Sequence, residues 1–244
     1  MAEDFDDIWA YLAESPLLGL TATLLAFLAA QGVWGRIGRP PILHPVLMAM
    51  ALLITFLIIA DIDYDTYFDG AQFIHFLLGP ATVALAIPLF DQLDRIRRLL
   101  LPISVAVVVG STTAALAAIL VGAAFGASYQ TLLALAPKSV TSPIAMGITE
   151  RLGGLPSLTA GLVLVTGALG CMFGPLIFRL LGIRAETAQG FALGMAAHGF
   201  GTAQAFGISA AAGAFAGLAL SLGGLFTAIF VPLLMPLIEQ LAGN

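Results

Sequence analysis

Near the middle of the chain, Pro137-Lys138-Ser139-Val140-Thr141-Ser142-Pro143 places a lysine, three hydroxyls and two prolines inside an otherwise apolar stretch. A lysine at the centre of a bilayer costs about 2.5–3.5 kcal/mol on insertion scales. Polar, proline-broken backbone is tolerated at membrane depth only where it faces protein or a water-filled cavity. The stretch therefore reads as the polar floor of a solute site, with Lys138 supplying a full charge and Ser139, Thr141 and Ser142 supplying hydroxyl donors. Two other segments interrupt apolar runs: Gly79-Pro80, and His198-Gly199-Phe200-Gly201-Thr202. A broken helix exposes backbone N–H groups at a half-helix N-terminus that carries about half a positive charge, which suits an anion. Thr82 follows Gly79 at the interval by which Thr202 follows Gly199. Together these groups suit a small carboxylate with a neighbouring hydroxyl or carbonyl.

Each residue also has a plainer reading. Serine and threonine in membrane helices commonly bond back to the carbonyl of the previous turn. Lys138 has two structural alternatives, pairing with Glu150 or capping a helix C-terminus, and Glu150-Arg151 reads equally as a surface pair. His198 is either a satisfied packing histidine or a titrating group that couples solute movement to protons. Asp61, Asp63, Asp65 and Asp69 read as a solvated loop. The single cysteine, Cys171, reads as a small packing residue. His44, His75 and His198 are too scattered to suggest a metal site, and no nucleophile, base and orienter recur at a recognisable spacing. Neither an enzyme nor a cofactor is expected.

The elements that must position these groups follow from composition. Hydrophobic residues make up 60% of the chain, charged residues 9%, and mean hydropathy is +1.04, which places the chain among integral membrane proteins. At about 20 residues per helix, the length allows about seven to nine crossings. Apolar spans are expected at 16–34, 42–60, 73–90, 101–125, 155–180, 187–206 and 213–238, with the lysine stretch inside 129–151. No basic stripe suggests nucleic acid. Residues 79–86 align with 199–206 at an offset of about half the chain, which implies a two-fold repeat with halves 16–125 and 129–240. Cytoplasmic loops carry excess Lys and Arg. Arg179 and Arg184 fall on the same side as Arg36, Arg39, Arg95, Arg97 and Arg98 only if 129–151 dips in and returns. The expectation is an all-α polytopic membrane protein of about seven to eight transmembrane helices, with two broken helices in an internal, inverted repeat. It has one re-entrant hairpin at 129–151, an extracytoplasmic N-terminus and a cytoplasmic C-terminus.

Four motifs then carry a resemblance. Leu77-Leu78-Gly79-Pro80-Ala81-Thr82-Val83-Ala84-Leu85-Ala86-Ile87-Pro88-Leu89 is the first, and Pro137-Lys138-Ser139-Val140-Thr141-Ser142-Pro143-Ile144-Ala145-Met146 the second. Gly153-Gly154-Leu155-Pro156-Ser157-Leu158-Thr159-Ala160 and Ala197-His198-Gly199-Phe200-Gly201-Thr202 follow. In this order they resemble the LrgB/CidB family, from about Pro41 to Pro236. The resemblance implies a single multi-pass domain over 1–244, often accompanied by a smaller LrgA/CidA-like membrane partner. It also implies two functional accounts. One is a secondary transporter of small monocarboxylates, of the glycolate, glycerate, lactate and pyruvate class, working by alternating access. The alternative is a holin- or antiholin-like protein that modulates murein hydrolase export and cell lysis. Many members carry a basic residue where Gln204 stands here, so charge neutralisation would rest on Lys138 and the helix ends. The expected solute ligands are Gly79, Pro80, Thr82, Lys138, Ser139, Thr141, Ser142, His198, Gly199, Gly201, Thr202 and Gln204. The expected setting is a bacterial inner membrane, with the lipid bilayer and a small carboxylate solute as partners and a homodimer as the assembly.

Overall fold

The computed structural model describes residues 16–38, 40, 43–77, 80, 83–84 and 86–242, and among these it is helical with no strand. The chain divides into two units, Met1–Ala84 and Leu85–Asn244.

In the first unit, α1 spans Pro16–Arg36, α2 Pro45–Ala60 and α3 Tyr64–Phe76. Proline suits the first turn of α2, where an N–H would have no intrahelical partner. Asp61 closes α2 with φ at 53°. Asp65 lies in the first turn of α3, where a carboxylate complements the helix dipole. The acidic segment expected as a loop is therefore helical from Tyr64 onward. The Thr23 and Tyr67 hydroxyls, 2.8 Å apart, tie α1 to α3.

In the second unit, two short helices, α4 (Ala86–Asp91) and α5 (Leu93–Arg98), lead into α6 (Leu100–Ala124). Then come α7 (Tyr129–Leu135), α8 (Ser142–Arg151), α9 (Pro156–Leu180), α10 (Glu186–Phe206) and α11 (Ala210–Phe230). A 3-10 turn, Val231–Leu234, joins α11 to α12 (Met235–Leu241). Among the described residues four helical stretches are long and apolar enough to cross a membrane: Leu17–Arg36, Leu100–Ala124, Pro156–Leu180 and Ala210–Leu241. Leu101, Val105 and Val109 of α6, and Val165, Phe173 and Ile177 of α9, are exposed. Outer faces this apolar match lipid rather than water.

Helices α7 and α8 form a hairpin. Ser128 caps α7 by accepting from the Thr131 N–H at 3.3 Å, and Pro143 sits in the first turn of α8. The Gln130 Nε2 donates to the Gly153 carbonyl at 3.3 Å, so the segment returns to the end from which it left. A buried 2.9 Å bond from Thr159 Oγ1 to Thr149 Oγ1 fastens the returning arm to α9. The dip-and-return geometry reasoned from arginine placement is the one found.

Helix α10 departs from expectation. His198 has φ 42° and ψ −122°, which no helix accommodates. These angles match the first central position of a type II′ turn, a chain reversal. The chain folds back there, so that Gly201 lies against the Leu193 carbonyl and Gln204 shares a cavity with Gln189 and Ile183. Residues 187–206 are thus not an interrupted crossing but a second hairpin, with arms 186–197 and 199–206. In consequence α11 starts from the end at which α10 began. The end of α12 comes to lie at the opposite end of the unit from Arg184, the reverse of the side expected for it.

The hairpins enter from opposite ends. Leu132 and Leu135 pack at Gly122, near the C-terminus of α6, so the first hairpin runs down α6 from that end. Leu193 packs at Gly174 and Ala197 at Gly170, so the second runs up α9 from its C-terminus. Arg95 Nη2 donates to Thr187 Oγ1 at 3.3 Å, which places the start of α6 and the base of the second hairpin at one end. That end carries Arg95, Arg97, Arg98, Arg179 and Arg184. The first arm of α10 then packs on α11 with Gly190 and Gly194 against the backbone of Ala212 and Ala216. A Cβ at either glycine would overlap those backbone atoms, so this close crossing requires glycine there.

Candidate functional site

A crevice of about 670 Å3 opens halfway along the second unit. Gly110, Thr113 and Ala114 line it from the middle of α6, and Thr166 and Gly170 from the middle of α9. The turn of the first hairpin contributes Lys138 and Ser139, and the second contributes Phe191, Met195 and Ala196. The Ser111 hydroxyl donates to Met195 Sδ at 3.5 Å beside it, joining α6 to the second hairpin.

Lys138 is half-buried, and among the described residues no carboxylate lies within ion-pair distance of it. Glu150, the expected structural partner, is exposed near the far end of α8. The ion pair found in this unit, Arg97 to Asp94 at 3.8 Å, is exposed on both sides and contributes little. A semi-buried cation without a carboxylate partner among the described residues, in a crevice that Ser139, Thr113 and Thr166 also line, is chemically suited to an anionic oxygen ligand. A carboxylate there would accept a charge-assisted bond from the ammonium and further bonds from hydroxyls. Among the described residues no group of three or more His, Cys, Asp or Glu could hold a metal.

Residues 23–237 match the LrgB-like family. The chain belongs to that family. YwbG of Bacillus subtilis (strain 168) is 34% identical over 219 residues, which cover 90% of this chain and 97% of that one. YxaC of the same organism is 36% identical over 213 residues, 87% of this chain and 92% of its own. A protein of Bacillus cereus (strain B4264) named antiholin-like protein LrgB is 30% identical over 224 residues, 92% and 97% of the two chains. No solved structure matches the chain.

In this LrgB-like chain the expected ligands separate. Lys138 and Ser139 line the crevice. Thr141 and Ser142 begin the returning arm and are not among the lining residues. The Thr141 carbonyl accepts from Ile144 and Ala145, both at 3.0 Å, while its side chain makes no capping bond. His198 is buried, with Nε2 3.0 Å from the Val163 carbonyl and its ring edge-on to Phe200 at 5.8 Å, so the packing reading describes it. Thr202 Oγ1 donates back to the His198 carbonyl at 2.9 Å, the plain reading for a membrane threonine. Gly201 is buried against Leu193, and Gly199 is exposed. Gln204 lines a separate cavity of about 460 Å3 at the basic end, with Arg179 and Arg184. Its Nε2 donates to the Cys171 carbonyl at 3.2 Å. Gly79 and Thr82 lie outside the described residues, and Pro80 is an exposed residue of the first unit.

Sequence reasoning passed over Thr113 and Thr166. The signal was present. Each is a hydroxyl near the midpoint of a long apolar span, at the depth Lys138 reaches from the neighbouring hairpin.

Proposed function

We propose that this LrgB-like protein is a secondary carrier of small monocarboxylates, of the glycolate, glycerate, lactate and pyruvate class, in a bacterial inner membrane. One observation carries the reading: Lys138, without a carboxylate partner among the described residues, lines a mid-depth crevice that Ser139, Thr113 and Thr166 also line. A solute carboxylate would neutralise that charge, and a paired ion is far less costly at membrane depth than a lone one. The two hairpins support alternating access. Within the second unit, each long helix with the hairpin after it, 100–151 and 156–206, makes one half, a division other than the expected 16–125 and 129–240, and the two hairpins enter from opposite ends as in inverted repeats. Movement of one half against the other would expose the crevice to alternate sides. A homodimer, with an LrgA/CidA-like protein as a further membrane partner, is the assembly we propose.

The name of the Bacillus cereus relative, antiholin-like protein LrgB, favours a second reading, an antiholin-like protein acting on lysis. Purified protein in sealed proteoliposomes separates the two. Saturable counterflow of labelled lactate or glycolate without dye release supports the carrier. Graded dye leakage without saturation supports a lesion-forming protein.

A further inference from the structure

A smaller cavity of about 320 Å3 adjoins the central crevice, and the two share Ala106, Phe191 and Ala192. The smaller one begins at Leu99 and Thr187, where α6 and α10 start at the basic end. Its lining positions step inward as 103 and 106 on α6, continued by 110 and 114 in the crevice. On the first arm of α10 they step as 188, 191 and 195. Steps of three and four residues keep to one face of a helix, so two facing stripes bound a continuous groove. Arg95 stands at its outer mouth. Its Nη2 is 3.3 Å from Thr187 Oγ1, and its guanidinium lies 5.8 Å from the centre of the Phe215 ring; both partners line the smaller cavity. Among the described residues no carboxylate pairs with Arg95. Of the three shared residues, Phe191 alone is bulky.

We infer that this groove is the solute's path between the basic end and Lys138, with Arg95 gathering anions at the mouth and Phe191 closing the passage between the cavities. The inference rests on the carrier reading for its cargo but not for its geometry. A guanidinium at the mouth of an apolar groove raises the local concentration of anions, an effect that fades with salt. Phe191 marks the point where the outer cavity becomes the inner one.

The test is thiol labelling of the full chain in liposomes, with Ala192→Cys in a Cys171→Ala background. Anionic and cationic methanethiosulfonate reagents are applied from each side. The anionic reagent should label from the basic end about tenfold faster than the cationic one at low salt. Arg95→Gln should abolish that preference and Arg95→Lys restore it. Phe191→Trp should slow labelling and Phe191→Ala speed it. Equal rates for the two reagents, or labelling from the opposite end alone, overturns the route; should the Phe191 variants not fold, the Arg95 comparison still decides. Labelling does not require uptake. The expected pattern without saturable uptake would sink the carrier reading while leaving the groove, and uptake with the wrong pattern would sink the groove alone.

Discussion

Residue 198 separates a folded-back α10 from a straight one. In a continuous helix, glycine is about 1 kcal/mol less favourable than alanine, so His198→Ala would be the more stable of the two truncations. His198 instead sits at φ 42°, where a residue with a Cβ carries strain of about 1–3 kcal/mol and glycine carries almost none. Both truncations lose the 3.0 Å bond to the Val163 carbonyl, about 0.5–1.5 kcal/mol, and the edge contact with Phe200, of similar size. These losses cancel in the comparison, and only the backbone difference remains. Glycine's greater loss of backbone entropy offsets about 0.5–1 kcal/mol of that strain, so His198→Gly should be more stable than His198→Ala by up to about 2 kcal/mol, the reverse of the helical order. Reversible unfolding of both variants in mixed detergent micelles gives the difference. Alanine equal to or better than glycine would refute the turn, and with it the placement of α12.

Single cysteines at Gly126 and Gly153 should label from one face, and those at Gly182 and Ser209 from the other; Glu239→Cys should label with the first pair. Labelling of Glu239→Cys together with Gly182→Cys would restore a full crossing at 187–206. Gly194→Ala drives a Cβ into the Ala216 backbone and should destabilise by more than about 1 kcal/mol. Gly147→Ala, with nothing near its added Cβ, should be neutral or stabilise by up to about 1 kcal/mol. Thermal unfolding of both proteins side by side checks the pair.

The site was legible where its chemistry conflicted with its surroundings. Lys138 between Pro137 and Pro143 is costly in lipid, and Arg179 in the last turn of α9 with Arg184 just beyond it sufficed to read 129–151 as a hairpin. The second hairpin was harder to see. Arms 186–197 and 199–206 join into a run of 21 residues, which has the length of a crossing. The break at His198-Gly199 was visible, but a break does not announce whether the chain continues or reverses. Only the sign of φ at His198 decides that, and the glycine after it, Gly199, permits both. The hydroxyls misled for a related reason. Thr202 follows its break at the same interval as Thr82, yet its bond is the local one to the carbonyl four residues back. Thr113 and Thr166 lie in unbroken helices, where position along the span, and not a motif, is what marks them.

The central claim is that Lys138 holds the carboxylate being carried. Counterflow of labelled lactate or glycolate into proteoliposomes, measured for wild type and Lys138→Met at equal amounts of monodisperse protein, tests it most directly. The account predicts saturable counterflow for wild type and loss of at least about 99% of it for Lys138→Met, the equivalent of removing a charged hydrogen bond of about 3 kcal/mol. Counterflow at the wild-type rate in well-folded Lys138→Met would contradict it.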